Sequence, residues 1–198
     1  MGARITLWRH LPNALSAARI GAAPVLGYLA ATGAARPFAW LLVPALLSDV
    51  ADGLIARRYG LVSRLGAQLD SIGDALLFFV TVVGVVVFHP DLLRAHAVAA
   101  AALVGSWSAE ILAALVRYRR PSSFHTYASK AAGALLGLMV AVLFVLELPP
   151  LLFYVAIGAS VAAQLEEMAL VLALPEWRTD VRGLYWVLRE RADGAARG

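Results

Sequence analysis

Between Ser48 and Asp74 the chain carries four aspartates, Asp49, Asp52, Asp70 and Asp74, and three arginines, Arg57, Arg58 and Arg64, with no cysteine or histidine among them. At 3.6 residues per turn, Asp49, Asp52, Gly53 and Ala56 share one face of a helix, and Gly66, Asp70 and Asp74 share one face of the next. The connection between the two helices is short, so the spacing predicts antiparallel neighbours whose acidic faces look at one another. Carboxylates brought together in this way repel, and something positive must compensate. With oxygen ligands only, the natural choice is a hard cation such as magnesium or manganese. Four acids suffice for two ions, the arrangement that clamps a transferring phosphoryl group. Gly53, Ala56 and Gly66 keep the acidic faces free of bulk, so that an extended ligand can approach the backbone. Arg57 can fork onto phosphate oxygens, and Ser63 can add a hydroxyl donor. A single glycine is explained more simply by close helix packing. Packing does not account for four acids.

The elements that must hold these groups are membrane helices. Hydrophobic residues make up 61% of the chain, charged residues 15%, and the mean hydropathy is +0.76. A soluble domain has about 25% charged residues. The 198 residues suit one domain, 1–198. There is no cysteine, which excludes disulfides, thiolate metal sites and cysteine nucleophiles. Apolar windows long enough to span a bilayer fall near 13–33, 38–57, 65–88, 95–117, 128–148 and 150–174. The expected fold is therefore all-α and integral to the membrane, with a core of six transmembrane helices over 13–174. An interfacial amphipathic helix is expected at 1–11, where Ile5, Trp8 and Leu11 alternate with Arg4, Arg9 and His10. A cytoplasmic amphipathic tail is expected at 175–198, where Trp177, Val181, Leu184, Tyr185 and Leu188 recur at helical spacing. Arg19 interrupts the first apolar run, which argues against a cleaved leader.

Of the seventeen lysines and arginines, only Arg36 and Arg94 fall in connections on the far side of this layout. The positive-inside rule then puts both termini and the acidic connection in the cytoplasm. The net charge of +4 is read as orientation and contact with anionic lipid, and not as nucleic-acid binding. Abundant alanine and arginine with a single lysine suggest a GC-rich bacterial genome, hence a bacterial cytoplasmic membrane.

The pattern D-x-x-D-G-x-x-A-R, eight residues, then G-x-x-x-D-x-x-x-D resembles the signature of the CDP-alcohol phosphotransferases (CDP-alcohol phosphatidyltransferases). Every fixed position is filled, by Asp49, Asp52, Gly53, Ala56, Arg57, Gly66, Asp70 and Asp74, with the eight-residue gap intact. Asn13, Ser16 and Arg19 are also similar to the N-x-x-T-x-x-R opening of the first helix in several members, with serine in place of threonine. The resemblance implies that Asp49, Asp52 and Asp70 ligate one magnesium ion, and Asp49, Asp70 and Asp74 a second, with manganese able to substitute. It makes Asp74 the general base that takes the proton of the acceptor hydroxyl. A metal-bound aspartate is a weaker base than a free one, so that role rests on geometry and on the metals acidifying the hydroxyl. The donor-binding set that it implies is Asn13, Gly53, Ala56, Arg57, Ser63 and Gly66. The implied reaction moves a phosphatidyl group from CDP-diacylglycerol to an alcohol and releases CMP. The expected partners are a CDP-linked lipid donor and a small alcohol acceptor, in a membrane-embedded chain that can form a homodimer.

The acceptor is less legible. Arg117, Arg119, Arg120, Lys130 and Arg178 form a second basic group, which suits a phosphorylated acceptor or, equally, ordinary positive-inside topology. Lys130, Arg117 and Arg120 are the acceptor-site candidates, Lys130 first because it begins the fifth expected span. Glycerol 3-phosphate is favoured, with an inositol phosphate next and an unphosphorylated alcohol still open. His125 is read as a solvated loop residue, and Ser129, Gly133 and Gly137 as a helix-packing stripe. Glu110, Glu166 and Glu167 lie in apolar stretches, which makes them functional candidates; the preferred reading is as structural partners of Arg19 or Lys130. Outside the enzyme class, an ion-coupled transporter also keeps carboxylates in membrane helices. Its acids tend to lie near the midplane of inverted repeats, whereas these stand at helix ends beside Arg57 and Arg64, without a repeat.

Overall fold

Ser16, Arg19, Ala23, Leu26 and Ala30 recur every three or four residues, and all five are buried. That spacing draws a single seam down one helix, the condition for packing it against neighbours along its length. In the computed structural model of the chain this helix is α1, Gly2–Ala31. The structure describes the backbone at residues 2–59, 64–120, 122 and 124–195, and side chains at 14–48, 69, 72–120, 122 and 124–193. Every regular element among the described residues is helical. The expected interfacial piece and first span are one continuous helix, whose 30 residues extend about 45 Å at about 1.5 Å each. That exceeds the roughly 30 Å of bilayer hydrocarbon.

The chain divides into two compact units, Met1–Ala95 and His96–Gly198. In the first, α1 is followed by α2 (Ala35–Tyr59), α3 (Arg64–Phe88) and the short α4 (Pro90–Ala95). Gly33 makes the α1–α2 turn with a φ of +70°, a conformation that costs glycine little. Ala34 N–H then closes the end of α1 by donating to the Leu29 carbonyl at 2.9 Å. The α1 seam lies against both α2 and α3, which also touch each other. Phe38, Leu42 and Ala45 of α2 and Leu77 and Val80 of α3 complete the core of this unit.

In the second unit, α7 (Pro150–Ala173) lies against α5 (Ala97–Tyr118), α6 (Tyr127–Val145) and α8 (Leu184–Ala195). Pro150 starts α7, where its missing N–H costs nothing. Ser106 of α5 donates to the Gln164 side chain of α7 between the two helices. The buried face of α6 is Ala132, Met139, Val140 and Leu143. A methyl group at Gly133 or Gly137 would meet nothing within 4 Å among the described residues. The small-residue stripe is therefore not the packing face that the sequence suggested, because the bulky apolar positions of α6 fill the seam instead.

Trp40, Val98, Val116 and Leu151 are each more than three-quarters exposed. Large apolar side chains on the outside are expected where the surroundings are lipid. Among the described residues, four helices contain stretches long and apolar enough to cross a membrane: Ala14–Ala31, Ala97–Tyr118, Tyr127–Val145 and Pro150–Ala173. Within the described residues α2 and α3 contribute shorter apolar stretches, Ala35–Ser48, which leads into the acidic motif, and Ile72–Phe88, which begins at its end and contains Asp74.

Candidate active site

The backbone puts the motif where its spacing predicted, on two consecutive helices of one unit. Asp49, Asp52, Gly53, Ala56 and Arg57 belong to α2, and Gly66, Asp70 and Asp74 to α3. The side chains of Asn13, Asp49, Asp52, Ala56, Arg57 and Asp70, and the whole of Ser63, lie outside the described residues.

Asp74 is the acid whose surroundings are described. Its carboxylate is 47% exposed, and its Oδ1 stands 3.5 Å from Nη2 of Arg19, a side chain only 1% exposed. The same Nη2 also donates to Ser16 Oγ, one turn earlier on α1, at 3.4 Å. Close approach of α1 to α3 makes the pairing possible. At Gly73 a Cβ would stand 3.4 Å from the Ser16 carbonyl oxygen and 3.5 Å from Arg19 Nε. An alanine there would make ordinary contact, whereas a longer side chain would push against the arginine. Among the described residues Asp74 is thus an ion-pair partner of Arg19. The signal for it was present: Arg19 falls on the α1 seam at the spacing of Ala23, Leu26 and Ala30.

The candidate acceptor residues stand in the second unit, each in different surroundings. Lys130, exposed in the first turn of α6, lines a cavity of about 250 Å³ together with Ser122, Phe124, His125, Ser129 and Glu167. Between His125 and Ser129 stands Thr126, whose side chain caps α6 by accepting from Ser129 N–H at 3.1 Å. Two backbone bonds hold this loop against the segment before α8. Val181 N–H donates to the Phe124 carbonyl at 2.8 Å, and Tyr127 N–H to the Arg182 carbonyl at 3.2 Å. Arg117 instead donates from Nε and Nη2 to the Leu174 carbonyl, at 3.3 and 3.2 Å. Tyr118 gives its hydroxyl to the Val171 and Leu174 carbonyls at 2.9 Å each. Both serve the C-terminal end of α7, where carbonyls lack helical donors and a cation is favoured. Arg120 lies over the Trp177 ring at 5.7 Å, and Arg178 pairs with Glu190 at 3.7 Å.

The glutamates have separate places as well. Glu166 Oε1 accepts from Leu184 N–H at 3.0 Å, which closes the N-terminal end of α8. Glu167 shares the cavity with Lys130, and Glu110 of α5 is 2% exposed.

Over 71 residues the chain is 45% identical to the CDP-diacylglycerol–glycerol-3-phosphate 3-phosphatidyltransferase of Rickettsia bellii, a match covering 34% of this chain and 39% of that protein. It is 38% identical over 84 residues to human cardiolipin synthase (CMP-forming), covering 42% of this chain and 27% of the relative. With the cardiolipin synthase (CMP-forming) of Streptomyces coelicolor the identity is 40% over 80 residues, or 37% of each protein. These matches thus span two fifths or less of each relative's length. No solved structure matches the chain significantly. Residues 9–175, which contain the acidic helices and the Lys130 cavity alike, match the CDP-alcohol phosphatidyltransferase family, and the chain belongs to that family.

Proposed function

We propose that the protein transfers a phosphatidyl group from CDP-diacylglycerol to an alcohol and releases CMP. The observation that carries this reading is the complete acidic motif on two consecutive helices, α2 and α3, of a chain that belongs to this family. The donor set fits a divalent ion, since it is made of carboxylate oxygens with no competing thiolate in the chain. Asp49, Asp52, Asp70 and Asp74 would hold two magnesium ions, replaceable by manganese. When bound, the ions would neutralise the diphosphate and stabilise the departing CMP.

The rest falls to the chain itself. Arg57 binds diphosphate oxygens, and Gly53, Ala56 and Gly66 leave room for the CDP group beside Asn13 and Ser63. The acceptor hydroxyl oxygen bonds to the phosphatidyl phosphorus as the phosphorus–oxygen bond to CMP breaks. Its proton passes to the Asp74 carboxylate, which is half exposed and held by Arg19. Lys130 binds the phosphate of the acceptor. We favour glycerol 3-phosphate, in keeping with the similarity to the glycerol-3-phosphate 3-phosphatidyltransferases. The similarity to cardiolipin synthases supports a second reading, with a lipid alcohol as acceptor.

The whole chain acts as one membrane domain in this reading. Six helices span the bilayer, with α2 and α3 entering it beyond their acidic ends. The first turns of α1 and the whole of α8 lie at the cytoplasmic surface. Exposed Tyr185, Trp186 and Leu188 beside basic Arg189 and Arg191 suit α8 to that place. The active site faces the cytoplasm, and a homodimer is the assembly to test. The deciding experiment incubates the purified protein with CDP-diacylglycerol, magnesium and a panel of alcohols, and follows CMP release and lipid product. Phosphatidylglycerol phosphate from glycerol 3-phosphate supports the first reading, and cardiolipin the second. No CMP release with any alcohol would discard the activity.

A further inference from the structure

We propose that Arg19 is a positioning residue for the transfer: its buried guanidinium, carried by α1, fixes the Asp74 carboxylate of α3. The inference rests on the reading of Asp74 as the proton acceptor and adds a residue from outside the acidic motif.

Three observations support it. Arg19 is 1% exposed, in an α1 seam whose next positions are Ala23, Leu26 and Ala30. A cation in such a seam is costly and contributes little net stability when paired, because desolvation offsets the attraction. An apolar side chain of similar length would join α1 to α3 at least as well, so packing alone does not call for arginine. A charged group inside a membrane helix is a functional candidate for this reason.

The pair is also asymmetric. Arg19 is enclosed and Asp74 is 47% exposed, so the cation is the buried partner and the carboxylate the one nearer the surface. Finally, the arginine is itself held in place. Ser16 Oγ accepts from Nη2 at 3.4 Å, and the absence of a side chain at Gly73 lets α3 pass within contact distance of Nε. A catalytic oxygen displaced by about 1 Å can lose on the order of 100-fold in rate. Holding it from a second helix is how a rigid scaffold prevents that.

The test compares Arg19→Met, Arg19→Lys, Asp74→Asn and the double variant Arg19→Met/Asp74→Asn, each purified in detergent micelles. Arg19→Met should fold and lower kcat by about 10- to 100-fold, with the KM values for donor and acceptor nearly unchanged. Arg19→Lys should recover part of that loss. In the Asp74→Asn background, Arg19→Met should cause no further loss. Melting temperature gives a second readout. Asp74→Asn should lower it when Arg19 is present, because a buried cation then loses an ion-pair partner, and should lower it less in the Arg19→Met background. A fully active Arg19→Met beside an inactive Asp74→Asn overturns the proposal and leaves the role of Asp74 intact. Turnover that survives in Asp74→Asn instead removes the reading on which it rests. Additive melting shifts would show that the two residues are uncoupled and would also overturn it. Should Arg19→Met fail to fold, Arg19→Lys decides, since a wild-type kcat there contradicts a positioning role and a reduced kcat with unchanged KM supports it.

Discussion

Arg19 and Arg117 are both arginines set against a neighbouring helix of their own unit, yet they meet different kinds of partner. Arg117 and Tyr118 donate to the Leu174 carbonyl and close the end of α7, whereas Thr126 and Glu166 accept from backbone N–H groups at the starts of α6 and α8. Arg19 belongs to the interior of α1 and meets the carboxylate of Asp74 in the interior of α3. A polar group at a helix end is explained by the backbone that it satisfies. An ion pair between two helix interiors satisfies no helix end. In the proposed reading the first unit carries the reacting acids, whereas the polar side chains named here in the second unit close helix ends.

That contrast can be broken most severely at the acids. Asp49→Asn or Asp70→Asn should bring transfer down to the assay background at any magnesium concentration, with a nearly unchanged melting temperature. EDTA should silence the wild type, and manganese should restore it at least in part. Activity that persists in EDTA would remove the two-metal reading.

A smaller effect sharpens the division of labour between the units. Arg57→Ala should weaken reaction with every CDP-linked donor by roughly 10- to 150-fold, the loss of a charge-assisted contact worth about 1.5–3 kcal/mol. Lys130→Ala should instead raise the KM for a phosphorylated acceptor and leave donor affinity almost unchanged. Parallel donor and acceptor titrations compare the two. If Lys130→Ala damages donor binding as much as Arg57→Ala does, the Lys130 cavity serves the donor.

The smallest effect belongs to the helix ends. Thr126→Ala removes the side-chain cap of α6 and should cost about 1 kcal/mol of stability, with turnover per folded molecule little changed. A thermal melt beside a rate measurement checks both halves. A large loss of turnover with no loss of stability would mean that the Thr126 loop takes part in the reaction and does not merely cap α6.

The sequence alone determined the helical class, the position of the acidic motif on α2 and α3, and the family, because these depend on local periodicity and on residue type at fixed spacing. It could also place Lys130 at the start of a helix, since hydropathy marks where an apolar run begins. It could not choose partners. Arg19 had three glutamates and several aspartates to meet, and only the close passage of α1 by α3 at Gly73 assigned it Asp74. Gly133 and Gly137 had the spacing of a packing face, yet the rotation of α6 turned Ala132, Met139 and Val140 inward instead. Arg117 and Lys130 looked alike as loop-flanking cations until the end of α7 took one and the cavity kept the other. The physical reason is common to all three. A side chain's partner depends on which helices are neighbours and how each is rotated about its axis, and these are set by the packing of the unit as a whole, not by the residues beside it in sequence.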